Sequence, residues 1–284
     1  MLFVSILAAS LCSTVMHKAR LNGGSSVFHF NLLGAAVWCI LLLFANGFRL
    51  DLSREVIIWG VLYGITQALF ILFKTAAMNS GSVSVTSLIG NLSLIISVVL
   101  CLVIWEESIY PADIIGLVLL MLGILLTTYK NSREKVTMRW VVFSSLFLIF
   151  GAAIGITFKA FAKSEAKDSV PSMMLVASAM MLVLYSVISL ILGMGAKRQV
   201  KSNRERRAFI LTAVGAGVCS CLYNRLNISL SAALPSVVFF PAFNGGVVVI
   251  STLFSVLLLG ERLSRRQTFG ILIGVAAIAV IGIL

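Results

Sequence analysis

Charged residues are the scarcest class in this sequence relative to expectation. They make up 11% of 284 residues, where a soluble domain carries roughly 25%. Long runs such as Val83 to Trp105 and Ile114 to Tyr129 hold no charge at all. A buried helix in a soluble core does not need that length, whereas crossing the hydrocarbon takes about 20 apolar residues. Alternation with period two is missing as well, which excludes a barrel of tilted strands. Inside lipid every backbone polar group must be paired within its own segment, so the runs are read as helices.

Other absences narrow the function. No glycine-rich phosphate loop with its Lys-Ser or Lys-Thr is present, so nothing supplies ATP hydrolysis. With only two histidines, His17 and His29, and no zinc signature, neither a metal site nor an intramembrane enzyme is expected. The five cysteines, Cys12, Cys39, Cys101, Cys219 and Cys221, are odd in number and lie in apolar runs, which argues against a disulfide framework. No cofactor is implied. Met1 to Met16 is apolar but has no basic residue before it, and His17, Lys18 and Arg20 follow it. A secretory signal needs the opposite order, so this segment is read as a retained helix.

The sequence is rich in apolar residues, at 60%, with a mean hydropathy of +1.08. Ten spans are predicted, over about 2–17, 27–47, 56–78, 82–104, 112–129, 140–161, 172–193, 208–231, 235–259 and 267–284. Asn79-Ser80-Gly81, Pro111, Pro171 and Pro235 punctuate them, and Lys130 to Arg139 divides the chain at mid-length. The net charge of +12 reflects Lys and Arg gathered in the connections, where they fix topology, and not a nucleic-acid partner. Fifteen basic residues fall on one predicted side, Lys18 and Arg266 among them; the other side has Arg49, Arg54, Lys159, Lys163 and Lys167. That bias places the fifteen in the cytoplasm and, with ten spans, both termini outside.

The halves look like copies. Glu107 stands nine residues before Gly116 and Glu261 nine before Gly270, each joining an apolar run to the next span. Lys74 has a basic counterpart in Arg225, and Lys18 and Lys159 both stand where the first span of a half ends. Two units follow, 1–130 and 139–284. Each has five helices, an odd number, so the second enters the membrane inverted. Inverted repeats of this kind characterise secondary transporters, with the substrate site at their interface.

These same residues carry a family resemblance. Phe254 to Ser264, containing Gly260-Glu261, followed by Gly270, resembles the end of an EamA domain of the drug/metabolite transporter superfamily. Ile104-Trp105-Glu106-Glu107 to Gly116 is a second, weaker version in which Glu106 replaces the glycine. Ile156-Thr157-Phe158-Lys159 to Pro171 is similar to the family's first-helix pattern. The resemblance covers essentially the whole chain and implies an all-α basket of ten transmembrane helices around a central cavity, working by alternating access. It also implies export or exchange of small metabolites, a bacterial cytoplasmic membrane, and a monomer or homodimer. It implies both termini inside, against the charge bias.

Polar side chains at bilayer depth are costly, at about 2.5–3.5 kcal/mol for Lys, Arg or Asp at a helix centre. Of 22 basic residues, Lys74 and Arg225 lie well inside a predicted span, while all ten acids lie in loops or at helix ends. The superfamily's small multidrug pumps use a buried glutamate in the first helix; Leu2 to Met16 contains no acid. A cavity with fixed positive charge favours a substrate bearing a carboxylate or phosphate over a cationic drug. Lys74 and Arg225 are therefore the candidate anion contacts, although Lys74 is close enough to its span end to snorkel. Asn91, Asn244, Gln67 and Tyr223 are further candidate contacts, the asparagines serving equally well as helix-to-helix bonds. Glu107 and Glu261 are expected to be structural, binding neighbouring helix ends or a basic residue. Pro241 with Gly245-Gly246 marks either a gating kink or close packing. The competing function classes are cation efflux and a non-transport receptor, scaffold or intramembrane enzyme.

Overall fold

In the computed structural model the described residues are 1–18, 24–128, 137–191, 203–259 and 264–282. They form ten helices: α1 Leu2–Lys18, α2 Gly24–Ala45, α3 Arg54–Ser80, α4 Val83–Trp105, α5 Pro111–Thr128, α6 Met138–Ala162, α7 Val170–Ile191, α8 Asn203–Ala233, α9 Ser236–Leu259 and α10 Arg265–Gly282. By length and composition eight of them can cross a membrane; α1 is a shorter apolar helix and α10 opens on Arg265-Arg266. This is an all-helical membrane protein, with each predicted span matched by a helix. The largest boundary difference is α8, which begins at Asn203 and not at 208. Arg206 and Arg207 are good helix formers, and a helix does not need apolar residues to continue beyond the bilayer. Pro171 likewise sits inside the first turn of α7, where its missing N–H leaves no bond unmade.

Short connections force neighbouring helices to run antiparallel, so the bundle has two ends. The Trp140 end carries the α3–α4 turn: Trp140 lies where a Cβ on Gly81 would stand, and the Thr137 hydroxyl donates to the Ser80 carbonyl at 3.4 Å. The Glu107 end carries the α4–α5 and α8–α9 connections and the start of α7. There Asp51 accepts a 2.5 Å bond from the Ser169 hydroxyl, and the Asn46 amide donates to Ser172 at 3.0 Å. Ser169 and the Ser53 N–H hold the Asp51 carboxyl below its ordinary value.

The helices sort into two groups. α3 packs on α6 and α7, and α4 on α6; in the same way α8 packs on α1 and α2, and α9 on α1. A shift of five helices converts one group into the other. α5 and α10 pack chiefly on each other and, more lightly, on α9, and their crossing is close because a Cβ on Gly123 would come within 2.8 Å of the Gly270 carbonyl, and one on Gly270 within 2.8 Å of Gly123's. Lipid gives no hydrophobic reason for helices to associate, so small residues that admit close backbone contact take that role. Gly60 and Gly64 do the same on α3, where a Cβ would meet Met173 O and Ala177 O of α7. Two contacts break the correspondence: α6 packs on α8 and α5 on α9, but their counterparts α1 and α3, and α10 and α4, make no comparable contact.

Candidate functional site

The inner face of α8 determines what lies at the centre. Ser220, Asn224 and Asn227 recur at helical spacing on that face, and each is tied to another helix or to its own backbone. The Trp38 indole N–H donates to the Ser220 hydroxyl at 2.8 Å and the Tyr63 hydroxyl to Asn224 Oδ1 at 2.9 Å. Ser5 donates to Asn227 Oδ1 at 2.6 Å, and the Asn224 amide back-bonds to the Ser220 carbonyl at 2.8 Å. Buried hydroxyls and carboxamides with such partners hold α1, α2 and α3 against α8 with fixed geometry. Tyr223 lies between these groups and α9, its ring 6.2 Å from that of Phe243, and within electrostatic reach of both Tyr63 and Cys12.

Lys74 projects from α3 toward α1, within electrostatic reach of Cys12, and is partly buried. It has no hydrogen bond or ion pair among the described residues. Gln67, seven residues earlier and so on the same face of α3, is 7% exposed and also has no partner among them. Cys12, whose thiol donates to the Ala216 carbonyl at 3.5 Å, lies within electrostatic reach of both the Lys74 ammonium and the Tyr223 phenol. The space between α1 and α3 is the part of the bundle where the α6–α8 packing has no counterpart.

Arg225 corrects an expectation. Asn224 and Asn227 occupy the inner face of α8, and helical geometry turns Arg225 away from it. Arg225 is exposed, in line with Val214, Val218 and Leu222 on the outer flank, which are 38%, 42% and 43% exposed. A guanidinium there reaches the headgroup region along its own stem. It does not join Lys74.

The asparagines separate too. Asn91 lines a narrow cleft between α4, α5 and α9, among Leu94, Val98, Leu120, Ile124 and Pro241. Asn244 donates to the Phe240 carbonyl of its own helix at 2.8 Å. Gly245 and Gly246 are packing positions: a Cβ would come within 2.4 Å of Leu120 and 2.6 Å of Ile6 respectively. α9 continues through Pro241 without a break. Pro241 is in its second turn, near the N-terminus, where few backbone bonds are lost. Glu261 lies outside the described residues.

Glu107 and Lys159 make the ion pair found among the described residues, at 2.6 Å, with side chains 12% and 5% exposed. Lys159 Nζ also donates to the Leu234 carbonyl at 3.1 Å, and Glu107 Oε2 accepts the Ser236 N–H at 2.8 Å. Burial pushes the Glu107 carboxyl up, but the Lys159 ammonium and the Ser236 N–H outweigh it and hold it below the ordinary value of 4.5. Glu106 sets the approach angle, since it caps α4 in the left-handed region at φ 51°. Sequence reasoning assigned a bonding role to Glu107 without naming its partner. Lys159, a base in the last turn of an apolar span, was the available signal. Ser5, Cys12 and Asn224 had none, because single small polar residues in apolar helices are common.

Residues 1–129 match the model of the EamA-like transporter family. A solved crystal structure that carries no functional name superposes with a TM-score of 0.73 at 14% identity, covering 99% of this chain and 95% of its own. At that identity the likeness shows the fold alone. No curated protein matches the chain. The family match agrees with the drug/metabolite transporter resemblance of the motifs, and members of the family are transporters and not enzymes. With its apolar helices the chain is a membrane protein whose first 129 residues match a transporter family.

Proposed function

We propose that this protein transports a small metabolite bearing a carboxylate or phosphate, with Lys74 as its anion contact. The observation that carries the reading is an inward-turned ammonium with no acid beside it. Among the described residues the acids lie at helix ends or in connections, as Asp51, Glu107 and Asp168 illustrate. A lone cation at bilayer depth is costly, and an anionic ligand is the partner that would offset that cost. Gln67 and Tyr223 supply hydrogen-bonding groups on either side for the remainder of a polar substrate. The halves 1–130 and 139–284 act as inverted repeats, and the groups α3-α4-α6-α7 and α8-α9-α1-α2 rock against each other about the α5–α10 pair. The natural setting is a bacterial cytoplasmic membrane, with export or exchange as the direction. The test is a thermal-shift screen of carboxylated and phosphorylated metabolites on purified protein, followed by uptake into proteoliposomes. An anionic ligand should raise the melting temperature of the parent protein and not of Lys74→Gln. Equal shifts in both proteins would sink the assignment of Lys74.

A further inference from the structure

We propose that the Glu107–Lys159 pair clamps the α8–α9 turn, forming a gate at the Glu107 end of the bundle. The inference rests on the transport reading above. It begins from which bonds cross between the two helix groups. Glu107 follows α4 and Lys159 belongs to α6, so the ion pair lies within one group. Each partner's second bond crosses to the other group: Lys159 Nζ reaches Leu234 O, and Glu107 Oε2 takes the Ser236 N–H. Leu234 and Ser236 flank Pro235 in the turn between α8 and α9. One acid and one base thus grip a two-helix turn by a carbonyl on one side and an N–H on the other.

The surroundings fit a closed gate. The Ser231 hydroxyl approaches Phe158 O at 3.4 Å, part of the α6–α8 packing that α1 and α3 lack. Behind the clamp Val98 and Cys101 of α4 meet Val237 and Phe239 of α9 in one apolar cluster. Lys163, one turn beyond Lys159, stands 5.9 Å over the Trp105 ring. Lys74 is six residues from the end of α3 at the Trp140 end, far along the bundle from the clamp.

The design spares the ion pair on opening. Rocking the groups apart breaks the two hydrogen bonds at this turn, together with crossing bonds such as Tyr63 to Asn224 and Ser231 to the Phe158 carbonyl, and the two charges remain paired with each other. Neither ion is left bare in the opened state, which is the condition that makes rupture of buried pairs so costly. A pair spanning the two groups would resist the motion; this one positions the grip and survives its release.

Hydrogen–deuterium exchange of the full-length protein in lipid nanodiscs tests the proposal. In Lys159→Met and Glu107→Ala, backbone amides of 230–240 should exchange about tenfold faster or more, while the α5–α10 pair keeps its parent protection. Lys159→Arg, which retains charge and donor, should stay near the parent. Unchanged protection at 230–240 in variants whose α5–α10 protection shows them folded overturns the clamp. Should the first two variants lose protection throughout, Lys159→Gln serves instead: its shorter amide loses the charge and the reach to the Leu234 carbonyl, and no change there is equally fatal. Faster exchange at 230–240 without any anionic substrate in the uptake screen would leave the clamp standing and overturn the transport reading.

Discussion

Lys159 and Lys74 sit toward opposite ends of one bundle, and their surroundings differ in the way that separates a structural lysine from a ligand-binding one. Lys159 has a carboxylate at 2.6 Å and a backbone carbonyl at 3.1 Å, and both are held by helix ends. Lys74 has a thiol within electrostatic reach and an amide on its own helix face, and no counter-charge among the described residues. The first charge is satisfied by the fold. The second is left for something that arrives from outside. A lysine inside a membrane span therefore says little until the acids around it are known.

The strongest way to break this contrast is to remove each lysine and compare stabilities. Lys159→Met leaves Glu107 buried without its partner and should cost about 3–5 kcal/mol in reversible unfolding in detergent micelles. The double change Lys159→Met with Glu107→Gln should cost clearly less than the two single changes summed. Lys74→Met should be neutral or stabilising, because no bond is lost and a costly charge disappears. Equal losses at both positions would abolish the distinction.

Binding gives the converse. Once an anionic ligand is found, Lys74→Gln should weaken it by about 1.5–3 kcal/mol, the range for a charged hydrogen bond, or roughly 10- to 150-fold. Lys159→Arg should leave its affinity unchanged in the same isothermal titration.

Acid should act on the Glu107 end alone. Glu107 is held below 4.5 in the fold, so the unfolded chain binds its proton more readily. The stability it contributes is complete above about pH 4.5 and is lost as pH falls through the lower folded value. Asp51, also depressed and at the same end, adds to that direction. A melting curve that declines below pH 4.5 in the parent and flattens in Glu107→Gln is the expected outcome; a curve of the same shape in both would assign the acid sensitivity elsewhere.

The smallest effect is expected at Glu106. A residue with a Cβ in the left-handed region is strained, so Glu106→Gly should stabilise by about 0.5–1 kcal/mol, some of the relief being offset by the freer unfolded chain. The second half carries Gly260 before Glu261 in the matching motif. A loss of stability instead would mean that the Glu106 side chain does more than cap α4.

Ten helices, their order and their membrane setting were legible in the sequence, because long uncharged runs and Pro, Gly and Ser punctuation are local properties that lipid enforces. Asn224, Asn227 and Arg225 show where that legibility ends. All three are polar residues within four positions of one apolar helix, and only the rotation of α8 against α1 and α3 determined which two face inward. The same holds for Gly245 and Gly246, whose role as packing positions depends on Leu120 and Ile6 lying opposite them. Lys74 was legible as a charge well inside a span and Lys159 as one at a span end. Which one the protein neutralises and which it leaves free was decided by tertiary structure, since pairing depends on helix ends brought together from distant parts of the chain.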